Sequence, residues 1–258
     1  MERCDFLPVS AEEMHERGWW WYDALVVGGD AYVDHPSFGT AVISRVLEAE
    51  GLRVAVLAQP DWHDAEAFRA MGRPRLGVFI GAGNLDSMVA HYTAAKRRRS
   101  EDFYSPGKRT GCRPDRAAIV YCNRAREAFG PDVPIILGSL EASLRRFAHY
   151  DYWDDSVRRA ILFDAPADLL VYGMGEAATI EIAHRLKKKQ SVRTMTDIPG
   201  TGYITRDPSV CKFDHITLPS FEDVRDDKRL YAEATRTEYA EHDPVRGRAM
   251  IQEHDGRY

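Results

Sequence analysis

Short apolar runs alternate with amphipathic stretches over the first 190 residues, and this alternation predicts the fold. The apolar runs predict five strands: Ala24–Val27, Arg53–Ala58, Leu76–Ile80, Val133–Leu137 and Asp168–Tyr172. Apolar residues at helical spacing predict four main helices, which span about Pro36–Glu50, Asp61–Met71, Asp115–Phe129 and a stretch that reaches Leu186. Near-continuous apolar strands separated by helices are typical of a parallel sheet covered on both faces.

Right-handed crossovers between these strands predict a doubly wound, mostly parallel α/β fold of the flavodoxin-like type. In the strand order 2-1-3-4-5, a ligand crevice lies between the carboxyl ends of strands 1 and 3. This order brings residues 28–38 beside residues 81–87, with residues 138–143 and 173–176 along the same rim. Each of the four segments begins with glycine, which favours close approach of the backbone to a ligand.

The segment after the first strand is the most informative part of the chain. Residues 28–39 contain two glycines, two aspartates and a histidine before Pro36, which suits the first turn of a helix. We therefore expect ligand contacts along the carboxyl ends of the strands. The candidate residues are Gly29, Asp30, Asp34, His35, Ser37, Asn84, Asp86, Gly175 and Glu176.

Composition narrows the class of protein. The 258 residues carry 35 basic and 40 acidic side chains, a net charge of −5, which gives no general attraction to nucleic acid or membranes. No apolar run approaches the ~20 residues of a membrane helix. Four scattered cysteines (Cys4, Cys112, Cys122 and Cys211) indicate reduced thiols in a cytoplasmic protein. The basic run Lys96–Arg99 is expected to be a solvated loop, and nucleic acid binding there is disfavoured.

The charged remainder of the chain predicts a different organisation. Residues 1–23 form an amino-terminal arm and residues 24–190 the α/β domain, while residues 191–258 read as a linker and the start of an incomplete module. This last part contains at most short strands, such as Gly202–Thr205. A charged helical region is expected over Ser220–His242, with a second helical stretch from Asp243.

Two charged clusters have competing interpretations. Asp30, Asp34, His35 and His63 could form a metal site, but without tight ligand spacing we expect capping and hydrogen-bonding roles instead. The segment Ser143–Arg159 mixes arginines, aspartates and aromatic residues. We favour an internal Arg–Asp network for it over a docking surface. A receiver-domain site is rejected because strands 3 and 5 end in glycines, where that chemistry needs Asp and Lys.

Several long motifs match one known family. The chain resembles the amino-terminal part of the YgiQ-type radical SAM proteins from Phe6 to Tyr258. The matching motifs are Phe6-Leu7-Pro8, Gly29-Asp30-Ala31-Tyr32-Val33-Asp34-His35-Pro36-Ser37-Phe38-Gly39, Ala58-Gln59-Pro60-Asp61-Trp62, Gly83-Asn84-Leu85-Asp86-Ser87-Met88, His91-Tyr92-Thr93-Ala94, Arg113-Pro114-Asp115-Arg116, Glu141-Ala142-Ser143-Leu144-Arg145-Arg146, Ala148-His149-Tyr150-Asp151-Tyr152-Trp153 and Tyr172-Gly173-Met174-Gly175-Glu176.

The resemblance implies a cobalamin-binding-like α/β domain that precedes a radical SAM barrel. Complete family members continue to a C-x-x-x-C-x-x-C loop, which holds a [4Fe–4S] cluster that binds S-adenosylmethionine. This chain lacks that loop, so we expect a fragment with no catalytic or metal-ligating residues of its own. Its partner would be the missing barrel, and the substrate is unknown. The alternative is a stand-alone flavodoxin-like binding module without chemistry.

Cobalamin binding through a histidine is disfavoured by the spacing after strand 1. Proteins that bind cobalamin base-off use a D-x-H-x-x-G motif, in which the carboxylate orients the imidazole that ligates cobalt. Here Asp34 directly precedes His35, and Gly39 follows four residues later. Adjacent residues rarely form the required carboxylate–imidazole hydrogen bond. His35 is therefore not expected to ligate cobalt.

Overall fold

The fold is described by a computed structural model for residues 6–243 and 245–258. The strands are β1 (Ala24–Gly28), β2 (Val54–Ala58), β3 (Gly77–Gly81), β4 (Ile135–Gly138), β5 (His149–Asp151), β6 (Ser156–Arg158), β7 (Leu169–Val171), β8 (Thr201–Gly202), β9 (His215–Thr217) and β10 (Ala249–Ile251). The α-helices are α1 (Ala11–Glu16), α2 (Gly39–Ala49), α3 (Glu66–Ala70), α4 (Ser87–His91), α5 (Ala117–Phe129), α6 (Ser139–Leu144), α7 (Glu176–Lys187), α8 (Phe221–Asp226) and α9 (Lys228–Ala240).

The central sheet has six strands in the order β2-β1-β3-β4-β7-β8. The first five are parallel to one another, which confirms the predicted order 2-1-3-4-5 and the mostly parallel α/β fold. β8 adds an antiparallel strand of two residues beside β7. The glycines that end β1, β3 and β4 lie in register across the sheet, because Gly28 pairs with Gly81 and Gly81 with Gly138.

Each face of the sheet packs against its own layer of helices. Alternate residues of β1 point to opposite faces, so Leu25 and Val27 join one core and Val26 joins the other. The first core contains apolar side chains of α3 and α5, and the second contains side chains of α2 and α7. Burial on both faces explains why the strand sequences are apolar throughout rather than alternating.

The two outer strands of the parallel sheet, β2 and β7, are each contacted by another part of the chain. At the β2 edge, the Val56 N–H donates to the carbonyl oxygen of Pro8 at 2.9 Å, and Leu7 next to it is buried. At the other edge, β8 pairs with Leu170 and Val171. The amino-terminal arm therefore packs along one side of the sheet, and the segment after α7 closes the other.

Several predicted element boundaries are wrong. Helix α2 begins at Gly39 instead of Pro36, because residues 35–38 form a turn in which the Phe38 N–H donates to the His35 carbonyl oxygen at 2.9 Å. Helix α3 covers only Glu66–Ala70 of the stretch predicted from Asp61. The helical stretch expected from Asp243 is also wrong: Pro244 lies outside the described residues, and residues 245–258 contain strand β10 and no helix.

The charged carboxyl-terminal part packs against the β5–β6 hairpin. Its helical region consists of α8 and α9, separated at Asp227, which caps α9. Val224 and Ala234 form a small core with Ala148 from the hairpin side. Gln252 accepts a hydrogen bond from the Ala148 N–H at 2.8 Å. The few apolar residues of this tail thus pack against a surface that the α/β domain supplies.

Within residues 6–243 and 245–258, no helix is both long and apolar enough to cross a bilayer.

A buried histidine stacks between two aromatic rings where the tail meets the α/β domain. The ring of His254 lies 4.4 Å from Phe163 and 5.6 Å from Phe221, measured between ring centroids, with small interplanar angles. His254 is only 2% exposed, and its Nδ1 has no hydrogen-bond partner. Burial, with Arg159 and Arg257 nearby, lowers the pKa of His254 from its usual 6.5 to about 4. The folded protein therefore stabilises the neutral imidazole.

We expect the free energy of unfolding to fall as the pH drops from 7 to 4. The unfolded chain takes up a proton on His254 near pH 6.5, whereas the folded chain does so only near pH 4, so the stabilisation is present above pH 6.5 and lost on acidification. In urea titrations at several pH values, His254→Phe should reduce the fall in the free energy of unfolding between pH 7 and 4 by on the order of 2–3 kcal/mol. The control His242→Phe, at an exposed position, should leave the pH dependence of the free energy of unfolding unchanged.

His149 supplies a second contribution to the same dependence. Burial lowers the pKa of His149 to about 4, so part of the slope should remain in the His254→Phe variant. An unchanged slope in His254→Phe would contradict the assignment to His254.

Candidate functional site

The carboxyl edge of the parallel sheet brings the predicted segments together. Asn84, after β3, donates from Nδ2 to the carbonyl oxygen of Ser37 at 2.8 Å and accepts from the Gly39 N–H at 3.3 Å. Its own backbone N–H donates to Oδ2 of Asp30 at 2.7 Å. Asn84 therefore joins the segment after β1 to the segment after β3. The expected proximity of residues 28–38 and 81–87 is confirmed.

A fully buried guanidinium, that of Arg113, lies beneath this edge. Its Nη1 is 2.9 Å from Oδ1 of Asp30, and its Nε and Nη2 donate to Asp102 at 3.0 and 3.1 Å. The side chains of all three residues are almost completely buried. Burial raises the pKa of Asp30, and the charge of Arg113 opposes that increase. One cation thus lies against two buried carboxylates and balances the charge of one of them, consistent with the raised pKa of Asp30.

The network continues from Asp102 to the end of β1. Oδ2 of Asp102 accepts a hydrogen bond from the Ser105 hydroxyl at 3.0 Å. Gln59, after β2, donates from Nε2 to Ser105 Oγ at 2.6 Å and to the Gly29 carbonyl oxygen at 2.9 Å. Gln59 therefore holds the backbone at Gly29 and is itself held by Ser105 and Asp102. The polar segment between α4 and α5 supplies Asp102, Ser105 and Arg113 and completes this edge.

The glycines of the strand ends make room for the protein's own atoms. A Cβ atom at Gly28 would lie 2.6 Å from Thr40 Oγ1, and one at Gly81 would lie 3.2 Å from Ser139 Cβ. A Cβ at Gly29 would collide with the carbonyl oxygen of Ala82. These positions thus accommodate the starts of α2 and α6 and the loop after β3. The expectation that they also allow backbone approach to a ligand stays a prediction.

Asp34 and His35, both predicted ligand contacts, have different surroundings. The Asp34 carboxylate pairs with Arg45 of α2, whose Nε donates to Asp34 Oδ2 at 3.0 Å. His35 is exposed, and its Nδ1 accepts a hydrogen bond from the Ser37 N–H at 3.1 Å. Because Nδ1 is the acceptor, the neutral ring carries its proton on Nε2. Asp34 and His35 do not form a carboxylate–imidazole pair.

Asp86 and Glu141 hold the starts of two helices, α4 and α5, in place. Asp86 caps α4, accepting from the Met88 N–H at 3.0 Å, and forms an ion pair with Arg145. The buried Glu141 of α6 accepts from the Ser87 N–H at 2.9 Å and from the Ala118 N–H at 3.1 Å. Helix N-termini favour negative charge and acceptors for their free N–H groups. These two carboxylates therefore position α4 and α5.

The end of β7 presents an exposed part of the edge. Gly175 is the N-cap of α7 and Glu176 its first residue, and both are half-buried. Met174 next to them is 88% exposed. The Gly173 N–H donates to Ser143 Oγ at 3.2 Å, which brings this turn beside α6. Further exposed apolar side chains at this edge are Val89, Leu140, Leu144 and Tyr172.

A histidine–aspartate pair was not among the predicted site residues. His91 of α4 is buried, and its Nδ1 lies 2.5 Å from Oδ1 of Asp115, whose Oδ2 accepts from the Tyr92 hydroxyl at 2.8 Å. Burial alone would raise the pKa of Asp115, but the hydrogen bonds from His91 and Tyr92 lower it below its usual value. The motifs His91-Tyr92-Thr93-Ala94 and Arg113-Pro114-Asp115-Arg116 contain these residues but do not indicate the pairing.

The segment Ser143–Arg159 forms the internal charge network that its composition predicts. Arg158 binds Asp164 at 2.9 Å and Asp154 at 3.3 Å. Arg116, from the start of α5, binds Asp151 and Asp154, each at 2.7 Å. These ion pairs surround a cavity of about 10 Å³, roughly the space of one water molecule. The network fixes the β5–β6 hairpin against the α/β domain.

The structure separates the residues of the possible metal site. Asp30 pairs with Arg113, Asp34 with Arg45, and His63 with Asp61. Among the described residues, no group of three or more His, Cys, Asp or Glu side chains could hold a metal ion. Cys112, Cys122 and Cys211 are free thiols, and burial in the core raises the pKa of Cys122. Cys4 lies outside the described residues.

Removal of the buried cation should strongly destabilise the fold. Arg113→Met leaves Asp30 and Asp102 buried without a positive partner, so we expect a loss of about 3–5 kcal/mol in the free energy of unfolding. Denaturant titration measures it. The control Arg69→Met, which breaks an exposed pair with Glu66, should cost less than about 1 kcal/mol. Equal losses in both variants would contradict this role of Arg113.

Comparison with known proteins identifies longer relatives. The UPF0313 proteins of Clostridium botulinum strain 657 and Clostridium perfringens strain SM101 are each 53% identical to this chain over all 258 residues. The chain spans 40% and 39% of their lengths. It thus spans well under half the length of the curated relatives it matches.

A solved structure and a protein family also match the chain. The structure is the radical S-adenosylmethionine methyltransferase TsrM from Kitasatospora setae with cobalamin and a [4Fe–4S] cluster bound. It is 20% identical, with a TM-score of 0.42, over 72% of this chain and 27% of that one. The family described as radical SAM N-terminal matches residues 6–258. The chain belongs to the radical SAM N-terminal family.

Proposed function

We propose that this chain is the amino-terminal module of a radical SAM enzyme whose cluster and S-adenosylmethionine are bound by another part of the complete protein. The observation that carries the proposal is the family match over residues 6–258, together with relatives more than twice as long. The three described thiols do not fit a [4Fe–4S] cluster, because Cys122 is buried in the core and no ligand group is assembled. The chain's own role is therefore to bind and position.

The carboxyl edge of the sheet is the surface that we assign to ligand contacts. His35 and Ser37 are exposed there, and Asn84, Gly175 and Glu176 are half-buried. Asp30, Asp34 and Asp86 instead hold the surrounding backbone and helices through Arg113, Arg45 and Arg145. In this proposal the exposed polar groups contact the ligand, Gly29 lines the same edge, and the paired carboxylates keep the loops in position.

The exposed apolar side chains at this edge support docking of the remainder of the complete protein. Leu144 is 60% exposed, and Met174 and Tyr172 lie beside the same helix, α6. Contiguous exposed apolar residues are characteristic of interaction surfaces. The occupant that we propose is the radical SAM barrel of the full-length protein, which would enclose a ligand between itself and the sheet edge.

The test of this function is the reading frame that follows the codon for Tyr258. We expect it to encode a C-x-x-x-C-x-x-C motif. The complete protein, reconstituted anaerobically with iron and sulfide and reduced with dithionite, should convert S-adenosylmethionine to 5′-deoxyadenosine and methionine. Replacement of the three motif cysteines by alanine should abolish that conversion, measured by liquid chromatography.

The 258-residue chain is the matched control for this experiment. Treated in the same way, it should gain no stable cluster, because its thiols are dispersed. A broad visible absorbance that is lost in Cys112→Ser or Cys122→Ser would contradict this expectation. A downstream frame without the motif would favour a stand-alone binding module instead.

We expect this chain to bind cobalamin weakly or not at all, and His35 not to ligate cobalt. Ligation through Nε2 requires the proton on Nδ1, whereas Nδ1 of His35 accepts a hydrogen bond from Ser37. The carboxylate that could reverse this preference, Asp34, is paired with Arg45. Titration with hydroxocobalamin, followed by the visible spectrum, tests the prediction. The prediction would be overturned by tight binding with a spectral shift that disappears in His35→Ala. The exposed control, His63→Ala, should then still show the shift.

A further inference from the structure

Tryptophan and arginine side chains form an alternating stack at the amino-terminal edge of the sheet. The guanidinium carbon of Arg75 lies 3.4 Å from the ring centroid of Trp21, and that of Arg53 lies 4.0 Å from the same ring. Two guanidinium groups do not fit on one face of an indole at these distances, so they lie on opposite faces. Arg53 and Arg17 in turn lie 5.7 and 5.8 Å from Trp19.

The strand order creates this stack. Trp21 precedes β1, Arg53 directly precedes β2 and Arg75 precedes β3. Because β1 lies between β2 and β3, the two arginines approach Trp21 from both sides. The stack is therefore on the edge opposite to the proposed ligand site. Its role is independent of the proposed function.

The arginines of the stack keep their hydrogen-bonding capacity. In the part of the chain that the structure describes, the side chains of Arg53 and Arg75 form no ion pair and no hydrogen bond. Arg45, Arg69, Arg113, Arg116 and Arg158, by contrast, all pair with carboxylates. Stacking on indole covers the flat faces of a guanidinium and leaves the N–H groups at its edge free to bind an anion.

Trp20 adds an open aromatic face to this surface. It is 80% exposed, and one side of its ring lies against His15 at 4.7 Å between centroids. Because Trp20 lies between Trp19 and Trp21 in the chain, its exposed indole belongs to the same segment as the stack. An exposed indole and unpaired guanidinium groups are the two elements that bind single-stranded nucleic acid: a platform on which a base stacks and donors that contact phosphates. An acidic peptide would use the arginines but would leave the indole face unused.

We propose that the surface formed by Trp20, Trp21, Arg53 and Arg75 binds single-stranded nucleic acid without sequence preference. Arg53 and Arg75 donate to backbone phosphates, and a base stacks on Trp20. The net charge of −5 opposes the approach of a polyanion, so binding should be strongest at low salt and should weaken steeply as salt is added.

The test uses the 258-residue chain and a fluorescein-labelled twelve-nucleotide oligothymidylate, with binding followed by fluorescence anisotropy at low salt. Trp20→Ala should raise the Kd about tenfold or more, and Trp20→Phe should restore most of the affinity because it keeps an aromatic face. Arg53→Gln with Arg75→Gln should raise the Kd and reduce the slope of log K against log salt by about 1 to 2. Unchanged circular dichroism spectra and Tm values would show that the variants are folded.

The matched control is the other basic surface, Lys96–Arg99. Arg97→Gln with Arg98→Gln removes the same charge and should leave the Kd unchanged. The proposal is overturned if the oligonucleotide does not bind, or if the Kd is unchanged in the Trp20 and Arg53/Arg75 variants. It is also overturned if the Arg97/Arg98 variant raises the Kd as much as the Arg53/Arg75 variant does. Equal binding of a DNA duplex would indicate unspecific charge attraction. Equally effective competition by polyglutamate would assign the surface to an acidic polypeptide, and either result would also overturn the proposal.

Discussion

The buried guanidinium of Arg113 is the interaction on which the carboxyl edge depends. Two carboxylates, Asp30 and Asp102, can be buried there only because a cation lies between them. Charges in a low-dielectric interior are costly unless they are paired, and loss of one partner costs more than an exposed ion pair contributes. Asp30 holds Asn84, which in turn holds the turn before α2, so the position of this turn follows from the charge balance around Arg113.

This arrangement distinguishes paired carboxylates from accessible polar groups at the edge. The acids that look most functional in the sequence, Asp30, Asp34 and Asp86, each bind an arginine. Asp30 and Asp86 also accept hydrogen bonds from backbone N–H groups. Fewer polar side chains at this edge remain accessible, among them His35 and Ser37. For the ligand contacts that we propose at this edge, a rigid support is useful because little conformational entropy is then lost on binding.

The sheet could be predicted from the sequence because each strand is visible as a short apolar run between helices. Right-handed crossovers between such strands leave few possible strand orders. The predicted start of α2 was wrong because a proline at position 36 fits a turn before the helix as well as the first turn of the helix. Helix α4 has five residues, too few for a periodic pattern to show. The partners of Arg113 could not be found, because Asp30 is distant in sequence and the loop that carries Arg113 has no periodicity. The motif Arg113-Pro114-Asp115-Arg116 marked that loop but did not indicate which carboxylates pair with Arg113.

The covered edges of the sheet also bear on the behaviour of the protein in solution. A parallel sheet with open edges is a template for strands of other molecules, and unpaired edge strands promote aggregation. Here the carbonyl oxygen of Pro8 accepts the hydrogen bond of the Val56 N–H in β2. The strand β8 has only two residues, which is too short to present a long row of unpaired backbone groups. Loss of the amino-terminal arm by proteolysis would uncover one edge of the apolar strand Val54–Ala58 and create a template for intermolecular β-pairing.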